Sequence, residues 1–325
     1  MAQPNFFIVG APKCGTTALY EYLRGHPRIF MPRYKEPHYF ASDLGDYPLI
    51  RRGDDYDALF AESTPQHLAR GEASVYYLHS SSAIPRMRAL YPDARIIAMF
   101  RNPVDMVHAL HAQLLYVGEE TVGDFETAWR LQERRRRGLD LPRRARGGFL
   151  FQFAQLGAFG SQTDRLLSCF PRSQVKTILY DDFASAPQRV YRDVLEFLGV
   201  PDDGRSEFPR VNQSRQARIT WLKDILRKPP PALRQGVRTL KQVLGARGVS
   251  RLKTRVVGLN TLTAPRAALS PEFRAELAET FRPEIALLGR LLGRDLSEWC
   301  TSSPEPAPRA HCKGAAGSHC MATWL

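Results

Sequence analysis

No apolar run in the 325 residues approaches the roughly 18 that a membrane-spanning helix requires. No basic segment leads into a leader-length apolar stretch near Met1, because Phe6-Phe7-Ile8-Val9 is too short. Cysteine is scarce and odd in number, five residues, which speaks against a disulfide framework and for a reducing compartment. Acidic residues are in deficit: 33 Asp and Glu against 46 Lys and Arg leave a formal charge of +13. That excess predicts anionic ligands without specifying a fold. No nucleic-acid-binding module accompanies it, so nucleic acid is not an expected partner. There is no internal repeat. The expectation is a soluble cytoplasmic chain without stable membrane insertion.

What is present is a large apolar fraction, 43% of residues, enough for a sizeable core. Phe6 to Val9 reads as a buried strand and Thr17 to Leu23 as a helix closed by Gly25 and Pro27. Arg28 to Met31 is a candidate strand, Tyr56 to Phe60 a helical turn, and Gly71 to Leu78 ambiguous. Ala94 to Phe100 is a clear strand ending at Arg101. Asn102-Pro103-Val104-Asp105 then supplies an N-cap, a proline at the first helical position and an acidic third residue, for a helix to about Tyr116. Gln174 to Tyr180 is another strand. Pro187 to Leu198 is an amphipathic helix closed by Gly199, and Pro271 to Leu292 reads as two helical segments. Alternation of this kind predicts an α/β fold, a parallel sheet with helices on both faces and a P-loop-like nucleotide site at the strands' carboxyl ends. Residues 1–300 form one domain in this reading, with a basic insert around 133–148 and a helical C-terminal part. Residues 301–325, rich in Pro, Ser, Ala and Gly, are expected to be a disordered tail.

The stretch GAPKCGTT, Gly10 to Thr17, nearly matches the phosphate-binding pattern G-x-x-x-x-G-K-[ST]. Its lysine is displaced to Lys13, and Thr16 stands where that lysine usually is. Strand, glycine-bearing loop and helix together direct backbone N–H groups at an anion. A magnesium-dependent kinase would need an acidic residue at the end of a neighbouring strand. Ala94–Phe100 ends instead in Arg101, which clamps phosphate but binds no metal. Asp181 and Asp182, after the later strand, keep a kinase reading open. On balance the residues describe a metal-free site for a multiply anionic nucleotide.

APKCGTTALYEYL, KEPHYF, RNPVDMV, LYDDF with FLGV, and LSPEFRAEL to LLGRDLSEW occur in an order that resembles the sulfotransferases using 3′-phosphoadenylyl sulfate (PAPS). The resemblance is to the glycan-type and bacterial members and covers roughly residues 5–299. It implies that Pro12, Lys13, Cys14, Gly15, Thr16 and Thr17 hold the 5′-phosphosulfate and that Arg101 grips the 3′-phosphate. It also implies that Glu36 removes the proton of a hydroxyl acceptor, and that adenosine 3′,5′-bisphosphate leaves with no metal required. Lys13 would follow charge developing on the bridging oxygen. His38, with a suitable unperturbed pKa, is the rival base. The acceptor implied is a small metabolite, lipid or saccharide. A magnesium-dependent kinase and a non-catalytic nucleotide- or glycan-binding relative are the alternatives.

The family's usual Ser eight residues after this Arg is Ala109 here, with His108 and His111 as possible compensation. Glu72 of GEAS reads as structural, with orienting a loop or contacting the acceptor as the alternative, and Cys14 as packed or contributing its N–H. The Arg134–Arg137 and Arg143–Arg146 clusters read as solvated surface, or as a lid for an anionic acceptor. The His-Cys pairs of His311 to Cys320 do not match a familiar zinc spacing.

Overall fold

The computed structural model describes residues 3–209, 215–217, 261–263 and 267–301. The expected tail after residue 301, with its His-Cys pairs, and most of the basic stretch 215–265 lie outside the described residues. Arg215–Ala217 and Thr261–Thr263 form an antiparallel pair.

Five strands, β1 (Phe6–Gly10), β2 (Ile29–Phe30), β3 (Ala69–Ala73), β4 (Arg95–Phe100) and β5 (Val175–Leu179), form a parallel sheet in the order β2-β3-β1-β4-β5. Central β1 is buried along its whole length, which is why it reads as an unbroken apolar run. β3 has the sequence ARGEA and carries no such signal. Its place is set by pairing with β1, Phe6 opposite Gly71 and Phe7 opposite Glu72. The Phe6 ring fills the space beside Gly71, where a Cβ would sit 2.0 Å from Phe6 Cζ. The ambiguous stretch from Gly71 to Leu78 is thus strand only as far as Ala73.

The helices that matter to the site are α1 (Thr16–Arg24), α2 (Pro103–Val117), α3 (Gln132–Arg136), α4 (Tyr180–Ser185), α5 (Pro187–Leu198) and α6 (Pro271–Leu292). The N-terminus of α2 follows the sequence expectation, with Asn102 Oδ1 accepting from Val104 N at 3.0 Å. Asp105 pairs with Arg274 of α6 at 2.9 Å, two buried groups tying the two helices together. Tyr56–Phe60 is helical as expected, across the end of Gly53–Asp57 and a 3-10 turn, Ala58–Phe60.

One expectation is corrected. Residues 271 to 292 form one helix, not two, and it continues through Pro283. Pro283 removes an N–H donor. The buried stripe of Phe273, Leu277, Phe281, Ile285 and Leu288 runs past it on one face and holds both halves in register. No described helix is long and apolar enough to cross a membrane.

Candidate active site

β1 lies between β3 and β4, so the residues following these three strands meet at one edge of the sheet. Neighbouring strands are about 4.8 Å apart, which puts the exits of β3 and β4 roughly 10 Å from each other with the Gly10–Gly15 loop between them. This is the switch point of the sheet, since the chain goes from β1 out to the edge strand β2, returns to β3 beside β1, and then crosses to β4 on the other side.

The loop is fixed to the sheet by Ala11 N donating to Met99 O at 2.7 Å. Gly15 caps α1 in the left-handed region, φ 89°, and a Cβ there would press on the Phe183 ring at 3.1 Å. It offers no side-chain cap, and no acidic residue occupies the first turn. The positive end of α1 is therefore left to attract an external anion. Lys13 is also left-handed, φ 60°, and its Nζ donates to Gln113 Oε1 of α2 at 2.8 Å. Thr16 is buried at the helix start and Thr17 half-buried beside it. Cys14 is fully buried, with Sγ donating to Pro12 O, and burial pushes its thiol up to about 12. It is a packing residue, not a thiolate.

The KEP loop is attached to the exit of β3. Glu36 N donates to Ala73 O at 2.9 Å, and His38 N donates to Ser74 Oγ at 3.0 Å. Both residues have positive φ, 67° and 54°. Among the described residues only Lys13, Glu36, His38 and Asp140 bear side chains at positive φ, and three of these are candidate site residues. Lys35 Nζ meets Glu36 Oε1 at 2.5 Å, and His38 Nε2 stands 3.7 Å from Glu36 Oε2, beyond a direct hydrogen bond. Burial by itself would raise the Glu36 pKa; Lys35 and His38 outweigh it and hold the carboxyl at about 2. Burial lowers the pKa of His38, whose ring lies among Tyr47, Tyr76 and Tyr77. Lys35 is the functional candidate that sequence reasoning left without a role. Only the structure shows the side chain buried against Glu36 and not projecting into solvent.

Arg101 follows β4, is 8% exposed, and stacks 4.6 Å from the Tyr180 ring of α4. Ala109 is buried on α2, one turn before Gln113 and so on the same face as the group that receives Lys13. His108 stacks on Phe125, and His111 Nε2 lies 2.9 Å from Val122 O with the ring also against Phe125. These contacts direct both histidines toward the Phe125 side of α2. Asp182 pairs with Arg294 at 3.0 Å.

The arginine clusters are not uniformly solvated. Arg135 of α3 is fully buried against Glu120 at 2.6 Å and over Phe151, while Arg146 pairs with Glu119 and stacks over Tyr47, 4.7 Å from its centroid. Arg134, Arg136 and Arg137 conform to the surface reading, paired with Asp140 and Glu133.

A family model described as the sulfotransferase domain matches residues 3–216, more than half of the chain. The chain belongs to the sulfotransferase family. A sulfotransferase from Alicyclobacillus acidocaldarius is 32% identical, with a TM-score of 0.66 over 92% of this chain and 99% of that one. Human carbohydrate sulfotransferase 15 is 29% identical over 147 residues, 33% of this chain and 26% of that protein. Human heparan sulfate glucosamine 3-O-sulfotransferase 6 is 25% identical over 208 residues, 61% of this chain and 52% of that protein. The chain thus aligns with only part of the length of these curated relatives. Family and P-loop-like α/β fold are as the sequence motifs indicated.

Proposed function

We propose that this sulfotransferase moves the sulfuryl group of PAPS to a hydroxyl of a saccharide, lipid or small metabolite. The carrying observation is the convergence at three neighbouring strand exits: Glu36, from the loop after β2, held at the exit of β3 by its N–H to Ala73 O, the Lys13 loop beyond β1 and Arg101 beyond β4. A saccharide acceptor is favoured by the similarity to carbohydrate sulfotransferase 15 and heparan sulfate glucosamine 3-O-sulfotransferase 6. The donor supplies an activated sulfuryl group on a bisphosphate leaving group. The loop N–H groups, the uncapped start of α1 and the hydroxyls of Thr16 and Thr17 are suited to the 5′ end, and Arg101 to the 3′-phosphate. Lys13, reaching across the loop toward α2, neutralises charge appearing on the leaving oxygen. Glu36 accepts the proton of the attacking hydroxyl. Its low pKa keeps it ionised, and therefore able to accept, throughout the neutral range. His38 is held neutral by burial and supports the Glu36 carboxylate from one side.

Calorimetric titration tests the donor. Adenosine 3′,5′-bisphosphate is expected to bind without magnesium and more tightly than ATP. Magnesium-dependent ATP binding with no bisphosphate binding would instead establish the kinase reading.

A further inference from the structure

β3 carries a carboxyl group where a parallel strand ordinarily carries an apolar side chain. Glu72 is 1% exposed, opposite Phe7 of β1, and among the described residues it makes no ion pair. A buried, unpaired carboxyl group is costly, and nothing in the proposed transfer chemistry uses it.

Its contacts explain its presence. Glu72 Oε1 accepts a hydrogen bond from Ser74 Oγ, and the same Ser74 Oγ accepts from the backbone N–H of His38 at 3.0 Å. A hydroxyl has one proton to donate. Because Glu72 takes that proton, Ser74 is oriented with a lone pair toward His38 N. Two residues earlier, Glu36 N donates to Ala73 O. The KEP loop is therefore fastened to β3 at both of its positive-φ residues, a backbone region that residues with side chains rarely adopt.

We propose that Glu72 and Ser74 are positioning residues: Glu72 orients the Ser74 hydroxyl, which holds the backbone of His38 and so keeps the Glu36 carboxylate between Lys35 and His38. The inference rests on the reading of Glu36 as the proton acceptor. Glu72 Oε2 is buried without a hydrogen-bond partner. Burial raises the Glu72 pKa to about 8, so at neutral pH the group is largely protonated. A neutral Glu72 leaves the negative charge at this edge of the sheet on Glu36.

The test uses Ser74→Ala, Glu72→Leu, Glu72→Gln and Glu36→Gln in the full chain. The charged and titratable groups around Glu36 are Lys35 and His38 on its own loop, Glu72 on β3, and Tyr47 and Tyr76. The readout is the titration of the Glu36 side-chain carboxyl by carbon NMR, with bisphosphate affinity by calorimetry and bisphosphate release from PAPS. In the wild type Glu36 is expected to stay ionised down to about pH 4. In Ser74→Ala and Glu72→Leu it should titrate in or above the ordinary carboxyl range, and release should fall about 10- to 100-fold. Bisphosphate affinity should stay within about twofold. Glu72→Gln keeps the acceptor oxygen and should return both properties toward wild type. Ser74→Ala removes only a hydroxyl and decides the matter if Glu72→Leu fails to fold. A Ser74→Ala protein with unchanged Glu36 titration overturns the inference. Full release activity in Glu36→Gln would overturn the base assignment separately, since the NMR titration does not depend on turnover.

Discussion

Lys35→Met is the sharpest perturbation of the site. The residue keeps most of its length and loses its charge, leaving the buried Glu36 carboxylate without the ammonium that sits 2.5 Å away. Glu36 is displaced from 4.5 to about 2. At about 1.4 kcal/mol per unit this corresponds to roughly 3 kcal/mol. The sign follows from the depressed folded value. The contribution is fully present above the unfolded carboxyl pKa and is lost as pH falls through about 5 toward 2. Two results are expected of Lys35→Met. Thermal stability at pH 7 should fall by an amount of that order, because a buried carboxylate loses its partner. The acid limb of log(kcat/KM), measured as bisphosphate release with a saccharide and phenol acceptor panel, should also move. In the wild type that limb should lie below about pH 4. In Lys35→Met, burial is opposed only by the more distant His38, so the limb should rise into or above the ordinary carboxyl range. An acid limb between pH 5 and 6.5 in the wild type that persists in Lys35→Met and vanishes in His38→Ala would refute this and make His38 the base.

Glu36→Gln should lower turnover by about 10²–10⁴-fold with bisphosphate affinity nearly intact, and His38→Ala should cost less. Ala109→Ser places a hydroxyl on the α2 face that also carries Gln113. A hydrogen bond to a charged group, roughly 1.5–3 kcal/mol, would tighten bisphosphate binding about tenfold or more by calorimetry; unchanged affinity would show that the face is not turned to the nucleotide. Glu72 has a raised folded pKa, so its contribution to stability is complete below the ordinary carboxyl range and is lost as pH rises through about 8. The dependence of melting temperature on pH should accordingly be flatter for Glu72→Gln than for the wild type between about pH 5 and 8. Glu120→Ala should destabilise by about 3–5 kcal/mol in denaturant, since it strands the fully buried Arg135.

The parts of the site that were legible in the sequence are those fixed by local rules. A loop after an unbroken apolar strand, a Pro at the first turn of α2 and an Arg directly after β4 each carry their structural reading within a few residues. The ends of α1, β4, α2, β5 and α5 accordingly fall within a residue or two of the expected positions. β3 could not be read this way. Its residues are mediocre strand formers, and only contact with Phe6, some 65 positions away, makes Gly71 a sheet residue. Pro283 misleads for the same reason in reverse: the local rule predicts a break, and packing against helix Phe159–Cys169 overrides it, with Glu284 accepting from Ser161 N and Oγ.

The charges follow the same division. Counting arginines suggests surface, yet Arg135 is drawn inward by Glu120 just after α2, while Arg146 stays exposed and is held at the surface by the adjacent Glu119. Those pairs tie the basic segment down beside Tyr47, whose ring touches His38. Positive charge is therefore brought, at Arg146, to within two ring contacts of His38, the neighbour of the proposed base Glu36. An acidic acceptor would meet it there, whereas a neutral one would not use it. The expected consequence is asymmetric: Arg146→Ala should raise KM for a sulfated or carboxylated saccharide and leave KM for a neutral one unchanged. An equal rise for both would mean that Arg146 holds the loop in place through Glu119 and plays no part in reading acceptor charge.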